Sequence, residues 1–346
     1  MVNKTHSIKL SICIATYTRG KFIGETLDSI LSQMQPGVEL IVVDGASPDN
    51  TPEVMAQYLS HYPEIRYYRE QENSGVDRDY DKAVGYATGE YCWLMTDDDL
   101  LHPGAIKTVL SELDGMNELV VVNAEFRNVD FSKVLDERLL KLKTDKKYHI
   151  GDKENIFSEI AQGLSFIGCV VIKHNLWSAR NRFPYFGSLF VHVGVIFQQP
   201  ALEKVMVIAQ PLIIIRYGNS MWTPRGFEIW MVKWPELIWS FSELSDSAKS
   251  TVCPRGIWKN VRKLFFYRAV GGYSVNEYRV FLFPRYSGLE RSLYMAITII
   301  PPVVANIIGS LYCAATTKNA RMIMYGLVHS RHATWISRWV ARNLDV

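Results

Sequence analysis

Between Ile8 and Met95 four apolar runs alternate with stretches of helical periodicity, and this rhythm narrows the fold more than any other feature of the chain. Ile8 to Ala15 is apolar and β-branched. Phe22, Ile23, Leu27, Ile30, Leu31 and Met34 then recur at the spacing of one helix face until Pro36-Gly37 stops the helix. Val38 to Val43 is the next strand, and Asn50, Thr51 and Pro52 open a second helix with a cap and a first-turn proline. Ile65 to Tyr68 is a third strand, Tyr80 to Ala87 a helix closed by Gly89, and Tyr91 to Met95 a fourth strand. Strands linked through helices in this way form a parallel sheet covered on both faces. Ligands of such sheets bind beyond the C-terminal strand ends, where Thr16, Asp44 and the triplet Asp97-Asp98-Asp99 fall.

Three adjacent carboxylates repel one another, so a buried cluster needs a bound cation or a basic partner. Side chains alternate along an extended segment, so Asp97 and Asp99 are expected to point the same way and to share one divalent ion. The plainer alternative is a solvated acidic turn, or the cap of the helix after Pro103. No Gly-x-Gly-x-x-Gly follows the first strand and no Gly-Lys-Ser/Thr loop occurs, which disfavours dinucleotide oxidoreductases and P-loop NTPases. Phosphates at this edge are therefore expected to be held through a metal.

Five widely spaced cysteines, Cys13, Cys92, Cys169, Cys253 and Cys313, form neither a disulfide framework nor a zinc pattern, and imply a reducing compartment. The polar stretch Met1 to Lys9 runs straight into a strand, so no signal peptide is expected. Charge is unevenly spread: residues 255–346 hold thirteen Lys/Arg against three Asp/Glu, and the remainder 25 against 32. A basic end points to an anionic partner, here lipid rather than nucleic acid, because the 26 residues from Ser292 to Thr317 carry no charge. Pro301-Pro302 divide that stretch, which favours two short helices dipping into one leaflet over a single span. Arg285, Arg291, Lys318 and Arg321 flank it, and Trp335 and Trp339 suit headgroup level. A buried helical pair or an oligomer contact is the alternative. The aromatic-rich stretch Phe227 to Phe241 reads as core or membrane-facing structure.

The strings Ser11-Ile12-Cys13-Ile14-Ala15-Thr16-Tyr17-Thr18-Arg19, Val42-Val43-Asp44-Gly45-Ala46-Ser47-Pro48-Asp49, Glu72-Asn73-Ser74-Gly75, Ala87-Thr88-Gly89-Glu90-Tyr91 and Thr96-Asp97-Asp98-Asp99 resemble the GT-A nucleotide-sugar glycosyltransferases of family 2. Gly75 to Ala83 and Trp93 to Asp99 look, more narrowly, like bacterial O-antigen dideoxyhexosyltransferases. The resemblance implies an α/β, Rossmann-like GT-A fold with a mostly parallel sheet. Residues 1–120 would be its nucleotide-sugar half, 121–225 its acceptor half, and 226–346 a helical membrane-associating region. It implies a CDP-abequose donor, Mn²⁺ or Mg²⁺, and a mannose-containing, undecaprenyl-diphosphate-linked acceptor at the cytoplasmic face of the bacterial inner membrane.

Carried over residue by residue, the resemblance makes Ala15, Thr16, Tyr17, Arg19, Asp44, Asp77, Arg78 and Asp97 donor-binding candidates. Asp97 and Asp99 become metal ligands, with Asp98 beside the reacting centre. Glu125, read from the residues as a carboxylate on a buried strand, either steadies positive charge at the anomeric carbon or pairs with an arginine. Arg216 and Trp222 stand in a stretch resembling the loop that closes over donors. Where inverting members carry a Glu-Asp pair, this chain has Val191-His192. His192 is then a third metal ligand, a replacement base or a packed side chain. A retaining enzyme needs no carboxylate base there, and an α-linked abequose requires retention; an inverting UDP- or dTDP-hexose transferase and a non-catalytic assembly scaffold are the alternatives.

Overall fold

The computed structural model describes residues 7–219, 225–255, 257–316 and 320–346, and the chain divides into two compact units. The first comprises residues 1–126, 137–216 and 243–248; the second 127–136, 217–242 and 249–346. Most of residues 1–225, expected as the two halves of one domain, fall in the first unit, with 127–136 and 217–225 assigned to the second.

In the first unit the strands are β1 (Leu10–Thr16), β2 (Val38–Asp44), β3 (Arg66–Arg69), β4 (Tyr91–Met95), β5 (Leu100–Leu101), β6 (Leu119–Arg127), β7 (Lys146–His149), β8 (Val170–Lys173) and β9 (Lys204–Arg216). They lie in the order β3-β2-β1-β4-β8-β6-β9-β5, with β7 also paired to β9. Pairing is parallel from β3 to β4, as the alternation required. Beyond β4 it turns antiparallel at β8 and β6, and β9 pairs antiparallel with β5 and β7, so the sheet is mixed. The parallel half is flanked by α1 (Ile23–Leu31), α2 (Thr51–His61) and α3 (Val76–Tyr86); α4 (Ala105–Glu112) follows β5, α5 (Lys153–Ile160) follows β7 and α6 (His174–Ala179) follows β8.

Every residue of β1 is buried, which is why the run reads as continuously apolar: both of its faces are covered. Ile12, Ile14, Leu40, Val42, Trp93 and Met95 pack with Ile23, Leu27 and Ile30 of α1. On the other face Cys13 reaches the backbone of Ala83 in α3. In-register pairing of Thr16 with Asp44, and of Asp44 with Arg69, brings the strand ends to one edge.

Two elements differ from expectation. The helix α3 starts at Val76 rather than Tyr80, because Asp77 and Asp79 in its first turn complement the positive helix end. The strand β9 runs for thirteen residues where only Leu212 to Ile215 reads clearly, since Gln210-Pro211 interrupts the apolar pattern.

The second unit is helical: α8 (Trp234–Ser240), α9 (Ile257–Val270), α10 (Gly288–Ile299), α11 (Pro302–Ala315), α12 (Ala320–Val328) and α13 (Trp335–Asn343). Phe227, Ile229, Met231, Trp234, Leu237 and Ile238 are buried, so the aromatic stretch is core, not membrane-facing surface. Among the described residues no single helix is long and apolar enough to cross a membrane, and α10 and α11 are bent by 99° at Pro301-Pro302. Lys318 lies outside the described residues.

One face of α11 is committed to the interior, where Ala305 and Cys313 meet Ala269, Met324, Leu327, Val340 and Ala341. At its centre the fully buried Asn306 donates from Nδ2 to Leu327 O at 3.0 Å, Ser330 Oγ at 3.1 Å and Ala269 O at 3.4 Å, and accepts from Ser337 Oγ. One amide thus ties α11 to α9, α12 and α13. Replacing it strands several buried groups, each worth roughly 1–3 kcal/mol. Asn306→Leu is expected to lower stability by about 3 kcal/mol in denaturant unfolding followed by helical circular dichroism. A change within about 0.5 kcal/mol refutes the hub.

Candidate active site

The strand β4 ends at Met95, where Tyr80 Oη donates to its carbonyl at 3.0 Å, and the chain then bends. The three aspartates therefore sit in a turn beyond the strand, and strand alternation does not orient them. Asp97 and Asp98 instead face Arg19: its Nε lies 3.5 Å from Asp97 Oδ1 and its terminal nitrogen 3.2 Å from Asp98 Oδ2. Arg19 is itself buried, with its backbone N–H donating to Thr51 Oγ1 at 3.0 Å. Asp99 turns the other way and accepts the Arg216 N–H at 2.7 Å on Oδ1 and the Thr96 hydroxyl on Oδ2. Its carbonyl accepts Thr26 Oγ1 at 2.8 Å.

Arg216, at the end of β9, clasps this turn. Its Nε donates to Asp98 O at 2.9 Å, a terminal nitrogen pairs with Glu25 Oε2 at 2.9 Å, and its guanidinium lies over the Phe22 ring at 5.1 Å. A role on diphosphate was expected from it; in this structure it staples the aspartate turn to α1. Trp222, its expected partner in the donor loop, lies outside the described residues.

Burial and like charge dominate the electrostatics. Desolvation and then Asp98 push Asp97 up to about 7, with Arg19 pulling it back. Asp99 is held well above the ordinary carboxylate range by the same two causes, opposed by Thr96 and the Arg216 N–H. In the absence of a cation these shifts favour the protonated carboxyls; a cation at the turn would relieve the same repulsion with the carboxylates ionised, which makes the turn hospitable to one. The Thr16 hydroxyl, buried at the end of β1, faces Asp97 and, with Arg19, opposes the rise of its pKa. Two carboxylates with open lone pairs suit Mg²⁺ or Mn²⁺, ions that complete their shells with substrate phosphates. Among the described residues no three His, Cys, Asp or Glu side chains converge as a metal-holding group, so the set Asp97, Asp99 and His192 is not assembled here.

His192 stands in the first turn of α7 (Val191–Phe197), 1% exposed. Its Nε2 lies 2.7 Å from Leu164 O, which fixes the proton on Nε2 and leaves Nδ1 as a buried lone pair without a partner. Burial pushes its pKa down to about 4, so the ring is neutral at pH 7.

Asp44 is fully buried, its oxygens accepting from the Ser47 N–H at 2.8 Å and Tyr67 Oη at 2.7 Å, with Arg69 at 3.8 Å. It shapes the turn after β2. Asp77, expected at the donor, spends both oxygens on the loop before α7: Gly187 and Leu189 N–H donate to Oδ2, each at 2.8 Å, and Val191 N–H to Oδ1 at 3.1 Å. That loop passes through left-handed backbone at Gly187 (φ 83°) and Leu189 (φ 73°), a geometry the carboxylate holds in place. Arg78 lies over the Phe186 ring of the same loop at 4.6 Å. Glu125, on β6, lies 3.2 Å from His102 Nε2. Ala15 is buried and Tyr17 half-buried at the mouth of β1.

Reading residue by residue missed Phe22, Glu25, Thr26 and Thr96. Phe22 reads as helix-face hydrophobe and Glu25 as solvated charge; only their distance from Arg216 across the fold reveals them.

The comparisons with known proteins agree with this architecture. Residues 11–165 match the family model Glycosyl transferase family 2. Abequosyltransferase RfbV of Salmonella typhimurium is 27% identical over 231 residues, 63% of this chain and 69% of RfbV. Other curated relatives are matched over less than half of their own length. The fold is that of S. aureus TarS 1–349 (TM-score 0.52, 14% identity, 93% of this chain and 91% of that one). It is equally that of mannosyltransferase PcManGT from Pyrobaculum calidifontis, solved with GDP-Man and Mn²⁺ (TM-score 0.54, 16% identity, 91% and 85%). Residues 11–165 are thus a glycosyl transferase family 2 domain on a GT-A fold, and the chain that carries them is a glycosyltransferase.

Proposed function

We propose that this glycosyltransferase moves abequose from CDP-abequose to the mannose of an undecaprenyl-diphosphate-linked oligosaccharide, with retention, at the cytoplasmic face of the bacterial inner membrane. The observation that carries the reading is the buried acidic turn at the C-terminal edge of the parallel strands, with Asp97 and Asp99 raised by burial and mutual repulsion. The similarity to abequosyltransferase RfbV supports the choice of sugar.

A divalent cation at the acidic turn would supply charge stabilisation to the departing nucleoside diphosphate; Asp97 and Asp99 are its candidate ligands, and Asp99 would exchange its hydrogen bonds from Thr96 and the Arg216 N–H for it. The chain's own groups do the rest. Arg19 neutralises Asp97 and Asp98, keeping the turn folded before donor arrives. Arg216 fixes the turn's backbone, so the carboxylates are positioned in advance. Asp77 holds the loop from Gly187 to Val191, the stretch that carries a base in inverting relatives, and no carboxylate stands at Val191-His192. Retention is consistent with that substitution: the departing phosphate then takes the acceptor proton on the same face. The inverting alternative, a UDP- or dTDP-hexose with His192 as base, is disfavoured by a ring that is buried and has its pKa pushed down to about 4.

The decisive experiment incubates the purified chain with CDP-, UDP- and dTDP-sugars, with and without Mn²⁺, and reads the anomeric configuration of the product by NMR. Turnover of CDP-abequose with an α-linked product is expected; a β-linked product overturns retention, and full turnover in excess chelator overturns the metal. Asp99→Asn is expected to reduce nucleotide release at least about a hundredfold. In Asp77→Asn the loop loses its charged acceptor. Transfer should fall about tenfold while donor hydrolysis without acceptor persists, and equal loss of both activities would place Asp77 at the donor instead.

A further inference from the structure

The outer face of α11 is hydrocarbon. Its buried side takes up Ala305, Asn306, Ser310 and Cys313, every polar group of the helix centre among them. Val304, Ile308 and Leu311, spaced along one stripe of the helix, are exposed, and Ile299 at the elbow with α10 is 73% exposed. A solvent-facing apolar stripe of this kind marks an interaction surface.

The neighbouring helix α13 is joined to α11 through Ser337 and Asn306. It shows solvent a different composition: Trp335 and Trp339 are 74% and 56% exposed, and Arg338 and Arg342 are exposed between and beyond them. These four share one face at helical spacing. On the border of α11, Arg262 donates to the exposed Tyr312 hydroxyl and lies over its ring at 5.5 Å. Indoles, a phenol and guanidiniums beside a charge-free apolar stripe make the composition of a lipid headgroup boundary.

We infer that the exposed faces of α11 and α13 form one docking surface for an anionic lipid bilayer, with Ile299, Val304, Ile308 and Leu311 entering the acyl boundary and Trp335, Trp339, Arg338 and Arg342 at headgroup level. Charge selects this occupant over a second copy of the chain. Residues 255–346 carry thirteen basic side chains and three acidic ones. Of the acids, Glu277 closes the helix cap at Ser274 and Asp345 lies 3.2 Å from Lys133. A two-fold contact would set like charge against like, whereas anionic lipid attracts each basic residue by about 1 kcal/mol.

The inference deepens the membrane placement proposed above and is independent of the donor. The test sediments the full chain with vesicles of phosphatidylethanolamine and phosphatidylglycerol, and with vesicles of phosphatidylcholine alone, at low and high salt. Donor hydrolysis and helical circular dichroism serve as folding controls, and sedimentation velocity reports self-association. Binding to the anionic vesicles that weakens with salt is expected. Trp335→Ser with Trp339→Ser should weaken it at least about tenfold, and Arg338→Gln with Arg342→Gln by about twentyfold, the latter loss disappearing at high salt. Ile308→Asp, on the exposed stripe, should abolish it. Binding indifferent to these substitutions overturns the surface, as does failure of a folded, donor-hydrolysing chain to bind vesicles. A concentration-dependent dimer that Ile308→Asp dissolves, without vesicle binding, assigns the face to a second copy and also overturns it; these outcomes leave the donor reading standing.

Discussion

Like-charge repulsion inside a desolvated turn is the constraint around which the catalytic unit is arranged. Three carboxylates follow a buried strand, and each electrostatic neighbour meets some part of that load. Arg19 lies against Asp97 and Asp98 from the loop after β1, and Arg216 crosses from the end of β9 to hold the backbone of the turn. Glu25 then balances Arg216, and Phe22 fills the space beneath both guanidiniums. Even so, Asp97 and Asp99 remain above the ordinary carboxylate range. A turn whose carboxyls hold their protons unless a positive charge joins them suits a cation and the phosphates it would carry.

The same economy of polar groups recurs at the loop before α7. Asp77 is a charged residue in the first turn of α3, and its buried oxygens accept three backbone N–H groups from Gly187, Leu189 and Val191. Those hydrogen bonds couple the donor half of the sequence to the segment that ends at His192. The helix α3 therefore does two things: its apolar face covers the parallel sheet through Tyr80, Ala83 and Val84, and its N-terminus sets a distant loop.

In the helical unit the sorting runs in the opposite sense. Asn306, Ser310 and Ser337 turn inward and satisfy one another and the backbones of α9 and α12, leaving hydrocarbon on the outside of α11. A soluble core ordinarily keeps its apolar groups in and its polar groups out. The inversion along this helix, beside a Trp–Arg face on α13, is the basis on which a bilayer is proposed as the partner of this unit.

Much of this was legible in the chain. Continuous apolar runs separated by helical periodicity specified the parallel strands, because burial on both faces leaves no polar alternation to confuse the period. The triplet at 97–99, the strand-end residues Thr16 and Asp44 and the family strings marked out the candidate site, and the structure brings those strand ends to one edge. What the sequence by itself determined was which residues reach the sheet edge and that their charge needed a counterion; local pattern suffices because each element delivers its own end. Only the tertiary structure decided how that charge is met. It set Arg19 and Arg216 on the aspartates, took Asp77 away to the Gly187 loop, sank His192 onto Leu164, and turned Asn306 inward. Each of those depends on a partner far along the chain, and no local periodicity encodes the direction in which a polar side chain finds one.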